Sequence, residues 1–124
     1  MKDPTNPVCR TISTLLSRIG DKWTVLVVVT LGEGSLRFNE LRREIPSVSQ
    51  RMLTLTLRNL ERDGLVSRAV TASIPPRVDY ALTDLGRSLV PALHALELWA
   101  LDHVGDIHQA HARFDEIQDK AEAA

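Results

Sequence analysis

The hydrophobic period of this chain changes twice, and that alone restricts its fold. As far as Asp63 the apolar residues recur at steps of three and four, the spacing of helices. Between Leu65 and Leu82 the period shortens toward two, and from Thr83 the helical spacing returns. Gly64 marks the first change, and Ser73-Ile74-Pro75-Pro76-Arg77 forms a turn inside the alternating stretch. This order specifies a mainly α (α+β) chain with one hairpin set among helices. At 124 residues it is long enough to bury a core without disulfide or metal staples. No apolar run reaches the roughly 18 residues that would span a bilayer. Met1-Lys2-Asp3-Pro4-Thr5-Asn6 has no apolar signal region, and a lone cysteine suits a reducing compartment, so a cytoplasmic setting is expected.

The elements read as follows. Asn6-Pro7 starts a first helix carrying Ile12, Leu15, Leu16 and Ile19, and Gly20 stops it. Asp21 caps a second, whose Trp23, Val25 to Val29 and Leu31 are apolar nearly all round, the pattern of a helix central to the core. Asn39 is the expected N-cap of a third, which Pro46 ends. Ser47 or Ser49 caps a fourth, running to about Asp63 with Leu53, Leu57 and Leu60 as its buried stripe. Leu65 to Thr71 and Val78 to Leu82 form the hairpin, with Arg77 at its tip. Thr83-Asp84 opens a long amphipathic helix that Pro91 is expected to kink and Gly105 to interrupt. Beyond it Ile107, Ala110, Phe114, Ile117 and Ala121 form a heptad-like seam that needs a partner helix. Residues 1–104 therefore read as one domain and 105–124 as a C-terminal helical arm.

The charge is unevenly placed. Residues 1–35 balance at +1, residues 36–77 at +4 with eight arginines, and residues 78–124 at −6, for a net charge of −1. A basic middle followed by an acidic end suits a module that faces a polyanion with one part only. Helix, turn, helix and hairpin is the order of a winged helix-turn-helix, whose second helix enters the major groove of DNA. On that helix Ser49, Gln50, Arg51 and Thr54 would face base edges, since glutamine and arginine forks match adenine and guanine. Arg37, Arg42, Arg43 and Arg58 would sit on phosphates, with Asn39 and Ser47 beside them, and Arg77 would reach backbone or minor groove. The contrasting reading is a solvated arginine-rich surface on a protein-interaction module, favoured by Leu55 and the C-terminal seam.

Four separated motifs carry a more specific likeness: Asn6-Pro7-Val8, Gly20-Asp21-Lys22-Trp23-Thr24, Arg37-Phe38-Asn39-Glu40-Leu41, and Pro75-Pro76-Arg77-Val78-Asp79-Tyr80 through Leu82-Thr83-Asp84-Leu85-Gly86. In this order and spacing, over roughly residues 6 to 101, the chain resembles the HxlR-type family of bacterial winged-helix transcriptional regulators. The resemblance implies a homodimer built by the first and C-terminal helices, with two recognition helices on a pseudo-palindromic operator of double-stranded DNA. The family contains both repressors and activators. Several members sense oxidants through a cysteine just before the N-terminal proline, where this chain has Asn6, and its only cysteine is Cys9. The chain also departs from the family at Leu55-Thr56, where charged or amide residues are usual. Leu55 either touches a thymine methyl or lies against a neighbour.

Cys9 lies in a helix first turn beside Arg10, both of which lower a thiol pKa, so it is a candidate redox sensor; the alternative is a small buried apolar residue. His108 and His111, three residues apart, fit a solvated helix face better than a metal site, and no metal or cofactor is expected. Trp23 and Trp99 could border a small-molecule effector pocket in the dimer. Glycine-rich phosphate loops, H-E-x-x-H and G-x-S-x-G are all missing, so the chain is not expected to be an enzyme.

Overall fold

The computed structural model describes residues 5–123, in two compact units that meet in sequence at Pro91. In the first, α1 (Pro7–Ile19), α2 (Lys22–Leu31), α3 (Phe38–Glu44) and α4 (Gln50–Arg62) precede an antiparallel pair, β1 (Val66–Thr71) and β2 (Arg77–Leu82). The long helix α5 (Asp84–Ala123) begins in the first unit and forms the second.

Side-chain caps set the helix starts. The Asn6 carboxamide oxygen accepts from the Val8 N–H at 2.8 Å, and Asp21 accepts from the Trp23 N–H at 2.8 Å. At α3 the start lies earlier than Asn39. Arg37 is the N-cap, and its N–H donates to the Glu40 carboxylate at 2.9 Å. An acid three residues into the helix satisfies the cap backbone, so the helix opens at Phe38 and Asn39 lies inside its first turn. Of the two serines considered for α4, Ser49 is the cap, accepting from the Met52 N–H at 3.1 Å.

The core is built on α4. Leu53, Leu57 and Leu60 are buried together with Leu41, Val27 and Val28. Each such side chain contributes roughly 1.5–3 kcal/mol through its removal from water. α4 packs on α2 and β1, and α2 also meets α1, α3 and β2. α2 is less enclosed than its composition suggests. Thr24, Val27, Val28 and Leu31 are buried, whereas Leu26 and Val29 remain about two-fifths exposed on the opposite side.

The hairpin pairs Val66 with Leu82 through to Thr71 with Arg77, so Arg77 is the first residue of β2 rather than part of the turn. A third backbone segment joins it. Leu36 and Tyr80 exchange N–H···O bonds at 3.0 and 2.9 Å, tying the lead-in to α3 to the hairpin. Gly64, with φ 77°, takes the left-handed position after α4, and the Leu65 N–H returns to the Leu60 carbonyl at 2.9 Å.

α5 starts where the Thr83 hydroxyl accepts from the Gly86 N–H at 3.0 Å and donates to the Gly64 carbonyl at 2.6 Å. The helix runs without a break through Gly105, where an interruption was expected, and through Pro91. One helical glycine costs about 1 kcal/mol, which does not end a helix of this length. In the second unit Leu96, Leu98, Trp99, Leu101, Phe114 and Ile117 are exposed.

Candidate nucleic-acid interface

Most of the residues expected to meet DNA fall into two grooves of the first unit. One, of about 910 Å³, lies between α3 and the hairpin and is lined by Arg37, Asn39, Arg42, Arg43 and Arg77, with Phe38 and the Ser73 to Pro76 turn. The other, about 530 Å³, lies along the outer side of α4 and is lined by Gln50, Arg51, Thr54, Leu55 and Arg58. Ser47, in the turn between α3 and α4, and Ser49, at the head of α4, are exposed and border neither.

The Leu36–Tyr80 bridge explains the first groove. By fixing the α3 lead-in to the hairpin it brings Arg37 and Arg77, forty residues apart in sequence, to one groove. Both have internal partners: Arg37 faces Glu40 at 3.5 Å and Arg77 faces Asp79 at 3.0 Å, each through Nε. A guanidinium has five N–H donors, so each keeps four for a ligand. Arg42 and Arg43 have no ion-pair partner among the described residues, and both face this groove. The bond from the Arg37 N–H holds the Glu40 carboxyl below its ordinary value of 4.5, with the Arg37 and Arg43 charges adding to the effect. The Glu40 carboxylate steadies the α3 start and lowers the positive charge of the groove.

Along α4 the hydroxyls are partly committed. Ser49 caps its helix, and Thr54 donates to the Gln50 carbonyl at 2.8 Å. Gln50, Arg51 and Arg58 are exposed with no hydrogen-bond or ion-pair partner among the described residues, which leaves their forks for an outside ligand. Arg62 continues this face of α4 and Arg68 stands exposed on β1, two cations beyond those expected at the interface from sequence. The helical spacing of Arg62 from Arg58 was the available signal.

The sequence profile of the HxlR-like helix-turn-helix family matches residues 18–108. The chain belongs to that family. This HxlR-like protein is 50% identical over 88 residues to an uncharacterized HTH-type transcriptional regulator of Methanothermobacter thermautotrophicus, covering 71% of this chain and 67% of that one. That relative is archaeal, so the family extends beyond bacteria. The HxlR-like protein is also 40% identical over 109 residues to the uncharacterized HTH-type transcriptional regulator YdeP of Bacillus subtilis, covering 86% and 85%. Among solved structures it is similar to the redox regulator HypR in its reduced form, with TM-score 0.73 and 40% identity over 80% of this chain and 98% of that one. It is likewise similar to the reduced transcriptional regulator YodB from B. subtilis, with TM-score 0.67 and 33% identity over 73% and 88%. The two-stranded sheet of the HxlR-like protein is therefore the wing, and α3 and α4 are its helix-turn-helix.

Cys9 of the HxlR-like protein is a free thiol buried in the first turn of α1. The Trp99 and His103 rings stack at 4.6 Å, and those of His108 and His111 stand 6.3 Å apart. Among the described residues no three histidine, cysteine or acidic side chains gather as a metal site would need. No helix among them is long and apolar enough to cross a membrane.

Proposed function

We propose that this protein is a sequence-specific DNA-binding transcriptional regulator that acts as a homodimer on a pseudo-palindromic operator. Two α4 helices would enter successive major grooves about 34 Å apart. The observation that carries the reading is the outer face of α4, where Gln50, Arg51 and Arg58 stand exposed and unpaired among the described residues. Arg42 and Arg43 supply phosphate contacts, and Arg37, Asn39 and Arg77 flank them from α3 and the wing. The family and the regulators named among its relatives support the same function. Catalysis has no part in this proposal, and the compartment that suits it is the cytoplasm.

The dimer is supported by apolar surface within each unit. Val8, Leu16, Leu26 and Val29 are exposed in the first, and Leu96, Trp99, Leu101, Phe114 and Ile117 in the second. Residues 105–124 act as an arm of that interface. The signal is a small molecule or an oxidant. The redox regulators among the structural neighbours favour the oxidant, with Cys9 as its target.

Fluorescence anisotropy of the reduced protein on its own upstream intergenic DNA, beside a scrambled duplex at ~150 mM salt, tests this reading. Tight binding to the upstream duplex and weak binding to the scramble is the expected result. Equal, weak binding to these and to every duplex drawn from a randomised library overturns it in favour of a protein-interaction module.

A further inference from the structure

We infer that Leu55 reads the C5 methyl group of a thymine, which makes α4 selective for a thymine lying between arginine-contacted positions. The inference rests on the DNA-binding reading and adds to it a specificity-determining residue.

Arg51, Leu55, Arg58 and Arg62 follow one another at steps of four, three and four, so they form one file along α4. All four are exposed, and Leu55 is 51% exposed. The buried stripe of the helix, Leu53, Leu57 and Leu60, lies on its other side. Leu55, which also borders the cleft toward Ser17 and Arg18 of α1, therefore leaves about half of its apolar surface in water, in a file whose other members are arginines and beside Gln50 and Thr54. None of these three arginines has an ion-pair partner among the described residues. A ligand matching this file offers anionic or hydrogen-bond-accepting groups to the arginines and a small apolar group between them. Duplex DNA meets both conditions, because the thymine methyl is the one apolar group displayed in the major groove. The groove of about 530 Å³ at Leu55 leaves room for it.

The test uses the full-length protein and a duplex that it selects from a randomised library. Each thymine of the half-site is replaced by uracil in turn, which removes only the methyl group. The expected result is one position per half-site at which uracil weakens binding about fourfold, the worth of one buried methyl-sized group. Leu55→Ala should bind the thymine and uracil duplexes alike, while Arg51→Ala should keep the thymine preference. Indifference of the unaltered protein to uracil at every position overturns the inference, as does a full thymine preference in Leu55→Ala. Both results leave the DNA-binding reading intact. If no duplex is selected over the scramble, that reading fails and the inference falls with it. An apolar contact of Leu55 with another protein is then the outcome.

Discussion

Arg18 Nε lies 2.5 Å from a carboxylate oxygen of Asp63, joining the last turn of α1 to the C-cap of α4. Both side chains are about one-fifth exposed, and the two atoms approach closely without an aligned hydrogen bond. Charge therefore holds the contact, in a setting where either partner alone would be a poorly solvated ion. Asp63→Asn should lower stability by about 1–3 kcal/mol, below the cost in a fully buried pair because solvent still reaches the site. Urea denaturation of Asp63→Asn, Arg18→Gln and the double variant would measure it. If the single losses add in the double variant, the pair contributes nothing of its own.

Gly86 packs against the carbonyl of Leu65, and a Cβ there would overlap that backbone atom. The contact seats the start of α5 against the root of the wing, so the neighbour that must give way is backbone. Gly86→Ala should cost about 1–3 kcal/mol despite alanine's better helix propensity. Gly105→Ala, where nothing lies within 4 Å, should stabilise α5. Thermal melts of the two variants should therefore shift in opposite directions.

Glu40 has a folded pKa below its ordinary value of 4.5, chiefly because the Arg37 N–H bonds its carboxylate. A carboxyl lowered on folding binds fewer protons folded than unfolded, so it stabilises above its unfolded value and loses that effect as the pH falls through its folded one. The first turn of α3 should be fully held at pH 7 and should loosen below pH 4.5. Amide exchange of Arg37 and Leu41 followed down the pH scale would report it. In Glu40→Gln that dependence should disappear, and its persistence would assign the effect to another group.

The two grooves should separate by mutation. Arg42→Ala and Arg43→Ala should weaken binding to operator and scramble alike, each flattening the salt dependence by about one unit of slope. Arg77→Ala should also weaken all sequences. Arg51→Ala should cost about 1–3 kcal/mol on the operator and relax discrimination at one base position. Operator discrimination unchanged in Arg51→Ala would move the base-reading face away from α4.

Cys9 is the only thiol, and it is buried within the protomer. If the signal is an oxidant, diamide should join the Cys9 thiols of two protomers as a disulfide, itself taking up both protons and electrons as the hydrazine. Operator binding by the unaltered protein should thereby weaken, while Cys9→Ala stays unaffected. Alanine is the suitable replacement because a buried serine would add an unsatisfied hydroxyl. Equal responses from both proteins would remove oxidation of Cys9 from the proposed function.

Much of this was legible in the chain itself. Caps at Asn6 and Asp21, a serine cap narrowed to Ser47 or Ser49, the glycine after α4 and the leucine stripe of that helix are local signals; the structure reproduces them and takes Ser49 of the two serines. Such features depend on residues within a turn or two of one another, which a sequence displays directly. The arginine-rich middle and the helix, turn, helix, hairpin order likewise pointed to a DNA-binding module before any packing was known.

Tertiary structure decided what depends on distant residues or on competition between near ones. Glu40 outbid Asn39 for the start of α3 because a bond from the cap backbone outweighs the residue's own capping preference. Gly105 failed to stop α5 because one unfavourable glycine is carried by the helical residues on both sides. Above all, the Leu36–Tyr80 bridge crosses 44 positions and brings Arg37 to the same groove as Arg77, a pairing with no periodicity to announce it. Sequence fixes which backbone groups near one another can be satisfied locally; only folding settles which distant strand satisfies the rest.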